Sequence, residues 1–329
     1  MQTVEQTPLM SIRALFLLRL PLVVAAFSVL MPSIVTAATI IRFETSLGDF
    51  DVQMFDASMP RTVTNFLHYV TNNKYDGSVV HRNSDTADPV TRDFVIQGGG
   101  YYLHDPTGTG TTITYTTVVT IAPIADEPGG GVAGSSNVRG TIAMAKSGPN
   151  TVTSQWFINQ GNNSFLDSPL RSDGGFSAFG MVLGNGMSIV DAIGDLQIPP
   201  DFGFSISSPF NDLPLRNFSG NSITQVRVAN TVTIEDVRVL NLSPGDFDRN
   251  GTVNAADLTL LKANFGATSG AFFDDGDANM DGRVDGADFL AWQRSFGSVT
   301  TPIAAVPEPA AATLALLAAA ACGLARRRQ

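Results

Sequence analysis

Two segments near the end of the chain repeat one spacing of oxygen-bearing residues. Side-chain oxygens stand at positions 1, 3, 5, 9 and 12 of each copy, and the glycine at position 6 permits a sharp turn. Position 7 would contribute its backbone carbonyl. Because Ca²⁺ takes about six to eight oxygen ligands in a flexible arrangement, this spacing predicts two calcium sites. The predicted ligands are Asp246, Asp248, Asn250, Thr252, Asn254 and Asp257 in the first copy, and Asp277, Asn279, Asp281, Arg283, Asp285 and Asp288 in the second.

The last ligand position points to one type of calcium module. It holds Asp where an EF-hand usually has Glu, and in this respect the repeats resemble the dockerin family. The resemblance implies a small α-helical domain over residues 245–298, with helices at Leu258–Phe265 and Phe289–Phe296. It is compatible with a cohesin-like or cell-surface partner but does not require one. Asp-rich turns without metal are the alternative. If calcium binds, we expect its removal to destabilise residues 245–298 and to leave the rest nearly unchanged.

A second set of motifs lies upstream of the repeats. In chain order these are His81-Arg82, Phe94-Val-Ile-Gln-Gly-Gly-Gly100, Gly140–Asn159, Phe165-Leu-Asp167 and Phe179-Gly180. Together they resemble the cyclophilin family of peptidyl-prolyl cis–trans isomerases, over about residues 39–240, and they are most similar to its bacterial exported branch. The resemblance implies a closed eight-stranded β-barrel capped by two helices, proline-containing polypeptides as substrates, and no cofactor for catalysis.

The reaction implied by this resemblance needs no covalent chemistry. Rotation about a peptide bond has a barrier of roughly 18–20 kcal/mol, because amide resonance is lost in the twisted geometry. A catalyst must therefore hold the proline ring, exclude water and favour the twisted amide. By motif match the catalytic residues are Arg82, Phe94, Gln97 and Phe157, and the substrate-binding residues are Val95, Ala145, Lys146, Gln155, Phe165, Leu166 and Phe176.

Each part of this set has a role implied by the resemblance. Arg82 would place a fixed cation beside the proline nitrogen, and Gln97 would orient Arg82 and bond the substrate backbone. Main-chain groups of Ala145 and Lys146 would pair with the residue before the proline. His81 is interpreted as a structural polar residue, because the reaction transfers no proton. The apolar pocket would consist of Phe94, Val95, Phe157 and Leu166.

Several features depart from the usual family pattern. The segment Asn83–Asp93 is longer than usual; it either loops outward at little entropic cost or displaces Arg82. Phe165 replaces the Trp of many eukaryotic members, which predicts weak cyclosporin binding. Phe176 replaces a His or Tyr, and Val95 replaces a more usual Met. No role is assigned to residues 198–230.

The elements that must position these residues are mainly β. Strand patterns at residues 39–45 and 50–55 are joined by a glycine-containing hairpin connection, and a final strand is predicted at 231–240. Pro60 is suited to the first position of a helix, whose apolar residues recur at helical spacing. A second helix is predicted around residues 187–193. Residues 39–242 are therefore predicted to form the barrel.

The two ends of the chain carry targeting patterns. Residues 1–38 combine a positive flank, an apolar run and a small-residue exit, which is typical of a secretory signal. After a linker at 299–305, residues 306–329 join Val-Pro-Glu-Pro, an apolar segment and three arginines, and so resemble a PEP-CTERM sorting signal. These patterns predict export to the periplasm, cell surface or extracellular matrix, with membrane attachment through the C-terminal segment before processing. Uncleaved anchors are the alternative at both ends.

Composition limits the function classes. The chain has 329 residues and a formal net charge of −10. This acidity argues against a nucleic-acid partner, since such proteins concentrate Lys and Arg on one face. Cys322 is the single cysteine, so no internal disulfide can form. Three functions remain open: an isomerase for exported proteins, a proline-binding module with little turnover, and a surface-display component.

Overall fold

The computed structural model of the chain describes residues 39–84, 94–107, 111–127 and 135–300. Eleven strands and four α-helices lie within these residues. The strands are β1 (Ile40–Thr45), β2 (Gly48–Met54), β3 (Val79–Val80), β4 (Arg82–Ser84), β5 (Val95–Gly98), β6 (Tyr101–His104), β7 (Thr114–Thr117), β8 (Thr141–Met144), β9 (Trp156–Asn159), β10 (Ala178–Val182) and β11 (Val232–Val239). The helices are α1 (Pro60–Thr71), α2 (Met187–Gly194), α3 (Ala255–Asn264) and α4 (Gly286–Ser295).

Nine of the described strands form one antiparallel sheet in the order β3-β11-β1-β2-β10-β8-β9-β5-β4. The two ends of this order meet, because β3 and β4 are separated only by His81. The His81 N–H donates to the carbonyl of Gln97 at 3.0 Å and continues the ladder across the junction. The sheet is therefore a nearly closed barrel, and the expectation of a mainly β fold is confirmed. The predicted count of eight strands stays a prediction. The sheet has nine strands, but β3 and β4 are consecutive and would count as one strand if they were joined through His81.

The barrel interior is filled by aromatic and branched side chains. Phe43 and Phe50 stack at 4.8 Å between ring centroids, and Trp156 lies against Phe43 at 5.2 Å. Helix α1 begins at Pro60, as the sequence predicts, and buries its apolar face against this core. Helix α2 likewise contributes Val190 and Ile193 to the core. Because alternate strand residues point inward, the intervening residues lie on the outer face of the barrel.

The C-terminal module shares an apolar cluster with the barrel. Ile40 and Leu183 of the barrel are buried with Phe247, Leu261 and Trp292 of the module. Loss of the module would expose Ile40 and Leu183 of the barrel. This exposure would destabilise the barrel, because burial of apolar side chains is the main stabilising term in folding. This shared cluster argues against the expectation that calcium removal would affect residues 245–298 alone. The predicted boundaries between the two parts remain predictions.

Polar contacts reinforce the same junction. The Arg249 Nε donates to Asp51 Oδ2 at 2.9 Å, and Asp51 also accepts from Arg42 Nε at 2.8 Å. The backbone N–H of Phe273 donates to Gln53 Oε1 at 2.8 Å in a buried position. Arg249 is the fourth residue of the first predicted calcium loop, so this loop contacts the barrel directly.

Both module helices begin earlier than the sequence predicts. Helix α3 starts at Ala255 rather than Leu258, and α4 starts at Gly286 rather than Phe289. The cause is N-capping inside the loops, where Asn254 accepts from Ala256 N and Asp285 accepts from Ala287 N, both at 2.7 Å.

The predicted linker also differs from the structure at its start. Val299 pairs with Thr252, and the Thr300 N–H donates to the Gly251 carbonyl at 2.9 Å. The predicted signal (1–38), most of the Asn83–Asp93 insertion, the rest of the linker and the sorting tail (306–329) lie outside the described residues. Within the described ranges, no helix combines the length and apolar character required to cross a membrane.

Candidate active site

Three of the predicted catalytic residues form one row across adjacent strands. Arg82 on β4 pairs with Gln97 on β5, and Gln97 pairs with Phe157 on β9. Neighbouring strands are about 4.8 Å apart, so the backbones of Arg82 and Phe157 lie about 10 Å apart. Ile96 and Ile158, one residue along, belong to the barrel core. The row therefore lies on the outer face, and Arg82 pairs with Gln97 although the segment Asn83–Asp93 separates them in the chain.

The guanidinium of Arg82 is held at all three of its nitrogens. Nη2 donates to Ser84 Oγ at 2.7 Å, Nη1 donates to Gln97 Oε1 at 3.3 Å, and Nε donates to Asp212 Oδ2 at 3.4 Å. Gln97 is itself fixed, because its Nε2 donates to Gln155 Oε1 at 2.9 Å. The predicted contact between Gln97 and Arg82 is present. Ser84 and Asp212 are members of the site that sequence reasoning missed.

A cluster of apolar side chains, called the slot below, lies on the same outer face as this cation. Val95, Phe157 and Leu166 are buried in one cluster with Ala143 and Ala178. The predicted residues Phe94, Ala145 and Phe176 pack against its edge. The rings of Phe157 and Phe176 meet edge to face at 5.6 Å, and Phe94 stacks on Phe165 at 5.9 Å. Phe165 is 55% exposed, so it forms an open rim of the slot.

The Lys146 side chain and the Ala145 N–H both have partners inside the protein, and the predicted main-chain pairing of these residues with a substrate stays a prediction. The Lys146 side chain is 1% exposed, and its Nζ lies 2.5 Å from Asp126 Oδ2 and 5.6 Å from the ring centre of Phe176. It therefore supports the slot wall through its side chain. The Ala145 N–H donates to the Gln155 carbonyl at 2.8 Å. Any main-chain bond from Ala145 to a peptide would consequently use its carbonyl.

A buried amide network behind the slot was also missed. The Asn163 side chain donates to the Phe94 carbonyl at 2.9 Å, and the Asn137 side chain donates to the Phe176 carbonyl at 2.9 Å. Asn159 connects them, since it accepts from Asn163 at 2.9 Å and donates to Asn137 Oδ1 at 3.1 Å. The only sequence signal was the amide that ends the block Gly140–Asn159. The network fixes the backbone on both sides of the slot.

His81 is buried next to the row of Arg82, Gln97 and Phe157. Burial in the barrel wall and, secondly, the neighbouring Arg82 charge lower the pKa of His81 to about 3. Its ring meets Tyr101 edge to face at 4.8 Å. A neutral, enclosed imidazole of this kind agrees with the interpretation of His81 as structural.

This histidine makes stability depend on pH. In the unfolded chain His81 takes a proton below about pH 6.5, whereas the native state stays unprotonated there down to about pH 3. The contribution of His81 is therefore complete above about pH 6.5. It falls by at most about 1.4 kcal/mol per pH unit as the pH decreases toward 3. Urea unfolding of the parent and of His81→Gln across this range measures the effect. A difference between them that does not change with pH would contradict it.

The first predicted calcium loop gathers its carboxylates. Ligand atoms of Asp246, Asp248 and Asp257 all lie within 4.8 Å of one another. Gly251 N–H donates to one oxygen of Asp246 at 2.9 Å, while the other oxygen is buried and has no hydrogen-bond partner among the described residues. A buried carboxylate oxygen left in this way is unfavourable unless a cation neutralises it. The residues of this loop therefore fit Ca²⁺.

The second loop repeats the same detail at its first position. Gly282 N–H donates to Asp277 Oδ2 at 2.8 Å, and the buried Asp277 Oδ1 lacks a partner within the described ranges. Burial, followed by the nearby charge of Asp288, raises the pKa of Asp277 to about 6. No second group of three carboxylates in the described part of the chain comes as close together as that of the first loop. Asn279 stands here where the first loop has Asp248.

Comparison with known proteins agrees with this geometry. Residues 40–206 match the family described as cyclophilin type peptidyl-prolyl cis-trans isomerase/CLD, and they make up about half of the chain. The chain belongs to the cyclophilin-type peptidyl-prolyl isomerase family. Residues 244–296 match the dockerin type I domain. The cyclophilin part catalyses cis–trans isomerisation of Xaa-Pro bonds and needs no cofactor, and dockerin type I domains bind calcium.

Curated relatives carry the same activity in their names. The peptidyl-prolyl cis-trans isomerase of Acinetobacter baylyi is 37% identical over 161 residues, which are 49% of this chain and 74% of that protein. Peptidyl-prolyl cis-trans isomerase B of Escherichia coli is 35% identical over 156 residues, covering 46% of this chain and 82% of that one. A crystal structure of a Cryptosporidium parvum cyclophilin in the presence of the dipeptide Ala-Pro has a TM-score of 0.40 and 21% identity, and covers 61% of this chain and 99% of that chain.

Proposed function

We propose that this cyclophilin isomerises Xaa-Pro bonds of exported proteins through the row Arg82, Gln97 and Phe157 and its adjoining slot. The observation that carries the proposal is the guanidinium held at three nitrogens next to a slot of apolar side chains. The slot would accept the proline ring, because its walls offer apolar surface and exclude water. The export context rests on the sequence patterns at the two ends of the chain.

The chemistry follows from how the amide changes during rotation. In the twisted state the proline nitrogen loses conjugation and regains a lone pair. A guanidinium donor fixed beside that nitrogen interacts more strongly with the twisted amide than with either planar form. Only such differential binding lowers the barrier, at about 1.4 kcal/mol for each factor of ten in rate. No bond is formed or broken.

The test of this function separates turnover from binding. A denatured protein whose slow refolding phase is limited by proline isomerisation is refolded with increasing amounts of the purified chain. If the chain is an isomerase, the rate of the slow refolding phase should rise in proportion to the chain concentration, and the final yield should be unchanged. An unchanged or slower phase in the presence of demonstrated binding would favour the proline-binding module instead.

The export proposal needs its own measurement. When the full chain is expressed in a bacterial host, mass spectrometry of the protein from the extracytoplasmic fraction should find an N-terminus near residue 38. Recovery of the intact N-terminus in the cytoplasm would contradict export. The same spectrum reports whether residues 306–329 are retained, and so tests processing of the proposed PEP-CTERM segment.

For the module, we propose that both loops bind Ca²⁺ and that its helices offer a surface to a cohesin-like or other cell-surface partner. The support for calcium is the pair of buried, unpartnered oxygens of Asp246 and Asp277 within the described residues. The support for a partner surface is the exposure of Phe265 and Phe296, each 58% exposed at the end of its helix. When bound, the ions would neutralise the buried carboxylates and hold the loops in their turns.

A further inference from the structure

The long segment 198–230 builds a small apolar cluster beside the active site. Phe210 and Leu213 are buried there with Val79 and Leu103 of the barrel. Asp212 lies between them, and its backbone carbonyl accepts from the Asn83 N–H at 2.7 Å. The backbone of residue 212 is therefore fixed on both sides, next to the strand that carries Arg82.

From this position the Asp212 side chain reaches the catalytic cation. Its Oδ2 lies 3.4 Å from Arg82 Nε, and the two side chains are 24% and 39% exposed. The other two guanidinium nitrogens are bonded to Ser84 and Gln97. Because a planar guanidinium offers its donors in a rigid fork, a partner on Nε restricts rotation that terminal contacts alone allow.

Asp212 also lies beyond the residues that match the cyclophilin family, which end at 206. The contact is therefore supplied by a part of the chain outside the matched region. An ion pair this exposed adds little to folding stability. Its effect is expected instead on the orientation of Arg82, since small misplacements of a reacting group reduce rates strongly.

We propose that Asp212 is a positioning residue that holds Arg82 in its working orientation. The proposal rests on the proposed role of Arg82. Asp212→Ala should lower kcat for a short Xaa-Pro peptide about tenfold with KM nearly unchanged, because the lost interaction acts in the transition state. Asp212→Glu, which restores the charge, should recover part of this loss.

The test is a double-mutant cycle with Arg82→Lys, because lysine has no Nε donor. In that background Asp212→Ala should change kcat less than about twofold, whereas in the parent it costs about tenfold. Equal losses in both backgrounds would overturn the proposal. Asp195→Ala is the matched control, since it removes the same charge from an exposed side chain. Its kcat should equal that of the parent.

Two further readouts separate positioning from a folding defect. The melting temperature of Asp212→Ala should stay within about 3 °C of the parent. If it falls further, Asp212→Leu, which has a similar volume but no acceptor, replaces it in the cycle. In ¹⁵N spectra the Arg82 Nε–H signal should broaden or exchange faster in Asp212→Ala, and an unchanged signal would overturn the proposal. Should Arg82→Ala itself retain full activity, the assignment of Arg82 fails separately.

Discussion

Replacement of Arg82 by alanine is expected to lower kcat/KM for isomerisation of an Ala-Pro peptide about 100- to 1000-fold. Removal of one preorganised donor at a developing lone pair typically has an effect of this size, about 2.7–4 kcal/mol. Peptide affinity should change little, because the apolar slot that grips the proline ring is built from other residues. A protease-coupled assay gives the rate, and titration of the same peptide gives the affinity.

Two matched variants sharpen this result. Arg82→Lys keeps the charge but not the three-nitrogen geometry held by Ser84, Gln97 and Asp212, so it should recover only part of the loss. Arg294→Ala removes an exposed arginine of helix α4 and should keep the parent rate. Retention of more than half of the parent activity by Arg82→Ala would refute the assignment of Arg82.

Removal of calcium is expected to lower the melting temperature of the barrel and the module together by about 10–20 °C. Each proposed site would contribute about 2.7 kcal/mol when free calcium is 100 times its dissociation constant. For a body of this size, 1 kcal/mol shifts the midpoint by about 2–4 °C. The barrel takes part because Ile40 and Leu183 are buried in the module cluster, and because Arg249 of the first loop bonds Asp51.

The two tryptophans of the chain report the two parts separately. Trp156 is buried in the barrel core, and Trp292 belongs to the module cluster. In Trp292→Phe, the fluorescence of Trp156 should show a midpoint that falls when EDTA is added and recovers with excess calcium. If EDTA left the melting midpoint reported by Trp156 unchanged while the module melted at a lower temperature, the two parts would unfold independently. Magnesium at the same concentration is the control for charge screening.

The sequence was most informative where function requires short, ordered motifs. Arg82, Gln97 and Phe157 fall in one row, because each motif is a strand and the strands pair in register. Helix α1 could be predicted because Pro60 and the apolar spacing of the following residues are local signals. The capping role of Asn254 was missed, although its position ahead of a helix was visible in the sequence.

What the sequence did not reveal depends on contacts between distant residues. Asp212 is 130 residues from Arg82, and Arg249 is 198 residues from Asp51. Neither pairing leaves a periodic pattern, because each requires only one charged residue on a surface loop. The junction between barrel and module was missed for the same reason, since Phe273 and Leu183 are ordinary apolar residues until the fold places them together.

Two-dimensional exchange NMR on a short Ala-Pro peptide, with a trace of the purified chain, measures directly whether the slot and Arg82 lower the isomerisation barrier. Without a catalyst the cis and trans forms exchange in tens to hundreds of seconds. We expect exchange cross-peaks at mixing times below about one second with the parent, and none with Arg82→Ala. Shifted peptide signals without cross-peaks in the parent would contradict catalysis at this site, because the slot would then bind proline without lowering the barrier.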